Sequence, residues 1–362
     1  MMKKDKNIYA LILAGGLGSR FWPASKESFP KQFIDLTGSG KTLIQETFIR
    51  IKKIIKTENI FISTNEKYKD LVLKQIPEIN SKNLICELVK RNTAPSILYA
   101  SLKISQINKK AKMIVLPSDH YIKKLNEFYK NVEHAFSVSK RNHLITFGVN
   151  PKFPSTNYGY IKVSNTRESF QKVLRFTEKP SMQLAENFLR SDMYFWNSGI
   201  FVWSTKTILN AFEKLEPSMI KIFKSNLKNF DSTNEIHFFQ NIFPKIKGLS
   251  IDYSILEKAE NTYVIKSNFE WSDLGTWESL FETLSKKSHK KNINIGFKDK
   301  YLNSSTGNIM FSDEKKLIML DGLQDHIVVN NSEMLIIIPR KKIESIQKLR
   351  NAIIKKFGNE LK

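Results

Sequence analysis

The chain has 362 residues, of which 41% are hydrophobic and 11% aromatic, with 14 glycines and 11 prolines. This composition is typical of a globular protein of about two domains, and it excludes collagen-like, low-complexity and disordered chains. The single cysteine, Cys86, cannot form an internal disulfide, and six scattered histidines offer no Cys/His zinc cluster. A reducing compartment is therefore indicated.

The net charge is +23, from 58 basic and 35 acidic residues. Only nine of the basic residues are arginines, and the 49 lysines are spread along the whole chain, often in pairs. Nucleic-acid recognition favours clustered arginines among aromatic side chains. We therefore interpret the surplus as solvated surface and expect no nucleic-acid partner. A lysine-rich nucleic-acid-binding protein is the alternative from another functional class.

The N-terminal segment does not have the pattern of a secretory signal. Its apolar stretch, Ile8–Ala14, is interrupted at once by Gly15, Gly16 and then Arg20. No segment approaches the ~18 apolar residues that a membrane helix needs. We expect a cytoplasmic protein without a membrane partner.

Short apolar runs alternate with segments of helical periodicity in the first 150 residues. The runs are typical of buried parallel strands, and the alternation predicts a doubly wound α/β sheet with right-handed crossovers. The predicted strands are Tyr9–Ala14, Asn59–Thr64, Lys112–Leu116 and Leu144–Val149. The predicted helices are Thr42–Lys56, Tyr68–Ile76, Ala94–Ile107 and Asn126–Ser139.

From about Pro151 the predicted elements become shorter, which we interpret as an elaboration of the same sheet. The strands expected here are Gly159–Val163, Lys172–Glu178 and Gly199–Trp203, followed by helices at Thr205–Lys214 and Ser218–Asn226. The charged stretch Lys286–Asn292 is the predicted linker. It separates a large N-terminal domain, residues 1–288, from a C-terminal domain, residues 289–362.

The C-terminal domain is predicted to consist of stacked short strands closed by one helix. The strand-like runs are Gly307–Phe311, Leu317–Leu320, Ile327–Val329 and Met334–Ile338. The apolar side of the helix carries Ile343, Ile346, Leu349, Ile353 and Phe357. Such a stripe is typical of a docking surface rather than a cofactor site.

The first predicted strand runs into a glycine-rich loop, Ala14-Gly-Gly-Leu-Gly-Ser-Arg20. Glycines let backbone N–H groups approach a phosphate closely, and an arginine adds a charged fork. The loop is not a dinucleotide fingerprint, because Phe21 stands where the third glycine belongs. A second segment, Gly38-Ser-Gly-Lys-Thr42, imitates the end of a P-loop, but Asp35 replaces its first glycine, so we interpret it as a surface turn.

An acidic residue, Asp119, follows the strand predicted at Lys112–Leu116, in the sequence Leu116-Pro-Ser-Asp-His-Tyr121. The carboxyl ends of parallel strands hold ligands in α/β sheets, and Mg²⁺ is usually bound through one or two carboxylates. Taken alone, the segment is better explained as an N-cap of a following helix by Ser118 or Asp119.

Several further segments place one or two polar residues among aromatics and glycines, as in the wall of a site for a small polar ligand. They are Tyr158-Gly-Tyr160, Phe176-Thr-Glu-Lys-Pro180, Phe195-Trp-Asn-Ser-Gly199 and Phe269-Glu-Trp-Ser-Asp-Leu-Gly-Thr-Trp277. Together with the glycine loop, Pro30-Lys-Gln-Phe33, Arg91-Asn-Thr-Ala-Pro95, the Asp119 segment and Asp252-Tyr253, they occur in an order that resembles the mannose-1-phosphate guanylyltransferase family. The resemblance runs from Tyr9 to about Leu280.

The resemblance implies a Rossmann-like, doubly wound mixed sheet of the nucleotide-diphospho-sugar transferase type, with a small β-helix-like C-terminal domain. It implies transfer of GMP from GTP to mannose 1-phosphate, which forms GDP-mannose and pyrophosphate by Mg²⁺-assisted in-line attack on the α-phosphate. No protein nucleophile is needed, since positioning and charge neutralisation lower the barrier. A sister enzyme with another base or sugar is the alternative within the same class.

The resemblance also implies roles for individual residues. Nucleotide-binding residues would be Gly15, Gly16, Gly18, Ser19, Asn92 and Thr93. Catalytic residues would be Arg20 and Lys31, which neutralise triphosphate charge, and Asp119 and Asp273, which hold Mg²⁺ from two walls of one cleft. The sugar phosphate would be bound by Gly159, Glu178, Lys179 and Asn197.

Long bacterial members of the family carry a C-terminal isomerase domain, for which this chain is too short. We therefore expect no isomerase activity. The apolar strands and closing helix of the C-terminal domain suggest a homodimer.

Overall fold

The computed structural model describes residues 4–358, apart from residues 17, 166, 228, 229, 231 and 287–289. Its strands are β1 Ile8–Leu13, β2 Ile60–Asn65, β3 Leu84–Glu87, β4 Lys112–Pro117, β5 Tyr121–Lys123, β6 Leu144–Val149, β7 Tyr160–Lys162, β8 Phe170–Lys172, β9 Arg175–Thr177, β10 Tyr194–Ser204, β11 Thr262–Lys266, β12 Glu270–Ser272, β13 Ile293–Ile295, β14 Asp299–Asn303, β15 Ile309–Ser312, β16 Leu317–Asp321, β17 His326–Asn330 and β18 Leu335–Pro339. Its α-helices are α1 Leu43–Lys52, α2 Lys69–Gln75, α3 Thr93–Ile107, α4 Leu125–Val138, α5 Met182–Arg190, α6 Thr205–Leu215, α7 Pro217–Asn226, α8 Ser232–His237, α9 Trp277–Ser285 and α10 Ile346–Phe357.

The chain packs as two compact units, each built from separate stretches of sequence. Unit 1 comprises Met1–Gly15, Phe48–Pro117 and Ile122–Trp271. Unit 2 comprises Gly16–Thr47, Ser118–Tyr121 and Ser272–Lys362. The domain boundary predicted between residues 288 and 289, and part of the predicted linker, fall on residues 287–289, outside the described residues.

Unit 1 is built on a ten-stranded mixed sheet whose main path is β3-β2-β1-β4-β10-β6-β11-β8. Strands β1, β2, β3 and β4 are parallel to their neighbours among these four, whereas β10 is antiparallel to both β4 and β6. The parallel strands are buried along almost their whole length, as expected where helices cover both faces. The predicted mixed α/β sheet is therefore confirmed.

One predicted strand is divided in the structure. The segment expected as a single strand over Lys172–Glu178 belongs instead to two strands, β8 and β9. Strand β8 pairs with β11, whereas β9 pairs with β7, and the exposed Leu174 between them donates its N–H to the carbonyl of Lys162. The prediction of one strand was wrong because the chain pairs first with β11 and then with β7. The local sequence does not show which strand will lie beside a given segment.

Unit 2 contains short, stacked, mostly parallel strands. Strands β13, β15 and β17 run parallel in a sheet that β18 closes in antiparallel fashion, and β14 pairs with β16. Buried Asn308 connects successive layers: its side chain donates to Asn292 and its Oδ1 accepts from the N–H of His326. This arrangement confirms the expected β-helix-like domain.

The C-terminal helix α10 docks through part of its apolar side. Ile346 is buried and Ile353 packs against the core of unit 2, whereas Leu349 and Phe357 are exposed. The side chain of Ile343 is outside the described residues. Among the helices described, none is long and apolar enough to cross a membrane.

Candidate active site

The glycine-rich loop leaves strand β1 at Ala14, which is held on both sides. Its N–H donates to the carbonyl of Ser63, and its own carbonyl accepts from the Thr64 hydroxyl. Gly15 and Gly16 are exposed, and no heavy atom lies within 4 Å of the position that a Cβ would occupy at either residue. This space leaves room for a ligand beside the loop, while the Gly16 carbonyl accepts a hydrogen bond from Nε2 of Gln32 at 3.0 Å.

At Gly18, glycine is required by the backbone conformation and by the close approach of Lys31. Its φ is 62°, and a Cβ there would lie 2.2 Å from the Cβ of Lys31. No side chain fits at that distance, so Gly18 is needed to let the Lys31 backbone approach. Its carbonyl also accepts a 2.5 Å hydrogen bond from the Ser25 hydroxyl. The following turn, Ser19–Phe21, leaves Ser19 and Arg20 exposed.

Lys31 is a buried charged residue with three acceptors around its ammonium. It begins the 3-10 turn Lys31–Phe33 and is only 4% exposed. Its Nζ lies 3.1 Å from Oδ2 of Asp119 and donates to the carbonyl oxygens of Asp273 and Leu274, both at 2.8 Å. One ammonium therefore connects three loops of unit 2, a contact that nothing in the local sequence pattern reveals.

Asp119 follows β4, as expected from the sequence. The element after it is strand β5, and α4 begins later with Lys124 at its N-cap, so the alternative interpretation of Ser118 or Asp119 as a helix cap was wrong. Burial raises the pKa of the Asp119 carboxyl, but the Lys31 ammonium and His120 outweigh it, and the pKa is lowered overall. Asp119 is therefore ionised at neutral pH.

The second predicted metal ligand, Asp273, is oriented by its own loop. Oδ1 accepts from the N–H of Gly275 at 3.0 Å, and a Cβ on Gly275 would come within 2.6 Å of Oδ2. The missing side chain at Gly275 thus leaves room for this carboxylate. Lys31 contacts both the Asp119 carboxylate and the Asp273 main chain, so the structure brings these three predicted residues together.

Two carboxylates are a suitable donor set for Mg²⁺, which prefers hard oxygen ligands and completes its shell with water and phosphate oxygens. Among the residues that the structure describes, no group of three or more acidic, histidine or cysteine side chains could hold a metal ion by itself. The side chains of Asp119 and Asp273 are of the chemical type that Mg²⁺ binds.

The segment Arg91-Asn-Thr93 begins helix α3 in unit 1. Asn92 has φ 66°, is exposed, and caps the helix by accepting from the N–H of Thr93. The Thr93 Oγ1 accepts a 2.9 Å hydrogen bond from the N–H of Ile251. Both residues were predicted to bind the nucleotide; the structure shows in addition that the Thr93 oxygen has a partner within the protein.

Glu87, which sequence reasoning missed, lies at the end of β3 and is buried. Its Oε1 accepts from the hydroxyls of Ser63 and Ser96. Burial raises the pKa of Glu87 to about 7, against the lowering effect of these hydrogen bonds and of Lys90. The available sequence signal was an acidic residue at the end of the short run Leu84–Glu87, three residues of chain ahead of the Arg91-Asn-Thr93 segment.

The four residues predicted to bind the sugar phosphate lie in unit 1. Asn197 is 8% exposed, and its N–H donates to the carbonyl of Gly159 at 2.8 Å. A Cβ on Gly159 would come within 2.4 Å of Oε2 of Glu178 and 3.4 Å of the Asn197 Cβ. Lys179, adjacent in the chain, is exposed and its Nζ lies 3.6 Å from Oε1 of Glu178. The structure therefore groups all four.

Asp252 joins this group without having been assigned a role. Its Oδ1 accepts from Nδ2 of Asn197 at 3.0 Å. Burial and the nearby Glu178 carboxylate raise the pKa of Asp252 to about 7, and burial also raises that of Glu178. The Asp252-Tyr253 pair is recognisable in the sequence as a motif, but its contact with Asn197 spans 55 residues and could not be predicted from spacing.

The P-loop-like segment is a surface turn, as predicted. The carboxylate of Asp35 accepts from the N–H groups of Thr37, Gly38, Ser39 and Gly40 at 2.7–3.2 Å. The donors that a phosphate would need are thus occupied by an acidic side chain.

Comparison with known proteins adds to this geometry. Residues 9–290 match the family model described as Nucleotidyl transferase. The mannose-1-phosphate guanylyltransferase of Klebsiella pneumoniae is 33% identical over 345 residues, which are 93% of this chain and 72% of that protein.

Two solved structures are similar. The mannose-1-phosphate geranyltransferase of Thermus thermophilus has a TM-score of 0.86 at 24% identity, covering 96% of this chain and 99% of that chain, and it supports the fold. The mannose-6-phosphate isomerase of Helicobacter pylori has a TM-score of 0.62 at 28% identity, covering 74% of this chain and 99% of that chain.

The family model covers most of the chain, and the curated relative is matched over more than two thirds of its own length. The resemblance seen in the sequence motifs is therefore confirmed. The chain belongs to the nucleotidyl transferase family, in the group of mannose-1-phosphate guanylyltransferases, and is a nucleotidyltransferase.

Proposed function

We propose that this enzyme transfers GMP from GTP to mannose 1-phosphate and releases GDP-mannose and pyrophosphate. The observation that supports the proposal most directly is the buried ammonium of Lys31, held by Asp119 and by the loop that carries Asp273. Cationic and carboxylate groups gathered beside a glycine loop suit the transfer of a highly charged phosphoryl group.

In the proposed reaction an oxygen of the sugar phosphate attacks the α-phosphorus of GTP. The bond from that phosphorus to the α–β bridging oxygen breaks, and pyrophosphate leaves with the electron pair. No proton needs to be removed from an ionised phosphate, so the protein has to supply alignment and charge neutralisation rather than a base.

The side chains of Asp119 and Asp273 would hold Mg²⁺. When bound, this ion would neutralise the phosphate oxygens. Lys31 would fix the position of Asp119 and keep it ionised, because the ammonium lowers the pKa of that carboxyl. Arg20, exposed on the turn after the glycine loop, would meet the departing phosphates.

On the sugar side, Asn197 and Glu178 would bind mannose hydroxyls, and Lys179 would meet the sugar phosphate. The Asn197 amide is already oriented: Oδ1 accepts from the Thr146 hydroxyl at 2.8 Å and Nδ2 donates to Asp252. An oriented amide discriminates between hydroxyl configurations better than a freely rotating one, because the direction of its remaining N–H donor is fixed.

The test is a matrix of four nucleoside triphosphates against several sugar 1-phosphates, with pyrophosphate and the sugar nucleotide both measured. We expect turnover with GTP and mannose 1-phosphate, and its loss on removing Mg²⁺. Turnover only with UTP or dTTP and glucose 1-phosphate would replace the proposal with a sister specificity.

The substitutions Asp119→Asn and Asp273→Asn are expected to lower kcat/KM by roughly 100-fold or more, the size seen when one electrostatic group of an active site is lost. Asp299→Asn, an exposed aspartate in the same unit, is the matched control and should leave the rate unchanged. Melting temperatures separate lost chemistry from lost folding. Wild-type rates in both active-site variants would refute the assigned roles.

A further inference from the structure

The segment before Asp252 is attached to the N-terminal end of helix α3 by two hydrogen bonds. The N–H of Ala94 donates to the Leu249 carbonyl at 3.0 Å, and the N–H of Ile251 donates to Oγ1 of Thr93 at 2.9 Å. The first bond is between main chains. The second depends on one side chain, and Ile251 is 1% exposed, so water does not readily replace that acceptor.

Asp252 follows Ile251 directly and orients the sugar-side amide. Its Oδ1 accepts from Nδ2 of Asn197, whose Oδ1 in turn accepts from the Thr146 hydroxyl and, at 3.2 Å, from the N–H of Gly199. Both Oδ1 acceptor directions and one Nδ2 hydrogen are used within the protein. The amide therefore has one defined orientation, and Asp252 is the partner that fixes its nitrogen end.

These contacts form one continuous path from Thr93 to Asn197. We propose that Thr93 is a positioning residue for the sugar site: its hydroxyl oxygen holds Ile251, and thereby Asp252, in the place from which Asp252 orients Asn197. This inference rests on the proposed function and changes the role of Thr93 within it. A residue predicted to serve the nucleotide acts on the acceptor substrate.

The first test is Thr93→Val, which keeps the shape of the side chain and removes the oxygen. We expect the KM for mannose 1-phosphate to rise about tenfold, while the KM for GTP changes less than threefold. Thr93→Ser keeps the oxygen and should restore both values. A rise confined to the KM for GTP would overturn the proposal.

The matched control is Thr205→Val. Thr205 is also the first residue of a helix, α6, and its hydroxyl donates to the Ala111 carbonyl at 3.2 Å. This variant loses a comparable hydrogen bond outside the path, so both KM values should stay within twofold of wild type. If it reproduces the effect of Thr93→Val, the effect is one of general stability and the proposal fails.

A double-mutant cycle with Asp252→Ala tests the path itself. If Thr93 acts through Asp252, adding Thr93→Val to Asp252→Ala should change the KM for mannose 1-phosphate by less than twofold. Two fully additive effects would show that Thr93 acts elsewhere.

A readout that does not depend on turnover separates this inference from the proposed function. In Thr93→Val the amide of Ile251 should exchange its hydrogen faster, and the side-chain NH₂ signals of Asn197 should shift, with or without substrate. If the wild-type enzyme does not form GDP-mannose, the proposed function fails. The Ile251 exchange rate and the Asn197 signals can still be compared between wild type and Thr93→Val, and they still test the path. Unchanged Asn197 signals would refute the path.

Discussion

Replacing Lys31 with methionine removes one charge and little volume. The side chain is buried, with the residue 4% exposed, and its ammonium has three acceptors: Oδ2 of Asp119 and the carbonyls of Asp273 and Leu274. In Lys31→Met all three lose this donor, and Asp119 keeps its negative charge without the ammonium. The variant therefore tests whether this contact organises the loops of unit 2.

The expected loss of stability follows from the cost of an unpaired, partly buried charge. Removing one partner of a buried pair costs about 3–5 kcal/mol. The Asp119 side chain is 27% exposed, so water recovers part of that cost. We expect a loss of about 3 kcal/mol at pH 7, equivalent to a fall in melting temperature of roughly 6–12 °C.

The same contact predicts a pH dependence. The pKa of Asp119 is below its ordinary value in the folded protein, so its contribution to stability is present above the pKa of the unfolded chain and is lost as the pH falls through the folded pKa. Without Lys31 that contribution disappears. The difference between wild type and Lys31→Met should be full at pH 7 and narrow from about pH 4 downward.

Urea unfolding measured from pH 3 to pH 7 provides the assay. Lys41→Met, an exposed lysine in unit 2, is the control and should change stability by less than about 0.5 kcal/mol. Lys31→Arg should not restore stability. The guanidinium of arginine is planar and larger than an ammonium, so its N–H groups do not point at the three acceptors that surround the Lys31 Nζ. A change below about 1 kcal/mol at neutral pH, or one independent of pH, would refute the reasoning.

Two further predictions concern stability. Glu87→Gln removes a carboxyl whose folded pKa is about 7 rather than 4.5, so Glu87 favours folding below about pH 4.5 and loses that contribution as the pH rises through 7. The free energies of unfolding from urea titrations should be equal near pH 4.5. At pH 8 the variant should be more stable, by up to about 3 kcal/mol; a difference that does not depend on pH would contradict this. Gly18→Ala places a Cβ 2.2 Å from that of Lys31, at φ 62°, and should lower the melting temperature about as much as Lys31→Met, whereas Gly16→Ala, with open space at its Cβ, should not.

The sequence by itself determined the strands that are buried on both faces, because their own residues form continuous apolar runs. Strand β6 was predicted with its observed bounds, Leu144–Val149, and the bounds of the core strands β1, β2 and β4 were predicted to within one residue. A strand that is buried on both faces is visible as a continuous apolar run, whichever strands lie beside it. The division of Lys172–Glu178 between β8 and β9 needed the identity of the neighbouring strands. Strand β3 was not predicted, because it has only four residues and the last is Glu87. So short a segment shows no clear alternation of apolar and polar residues.

The same distinction applies to the candidate site. The sequence shows the glycine loop, the aspartate after β4 and the polar residues among aromatics. Binding of phosphate, metal or sugar requires particular residue types, and in each motif these residues lie close together in the chain. What only the tertiary structure decided is which of them touch. Lys31 reaches a carbonyl 242 residues away, and Thr93 accepts from an N–H 158 residues away. Such contacts depend on how the loops pack within each unit. The residues next to Lys31 or Thr93 in the sequence do not indicate which distant loop will lie beside them.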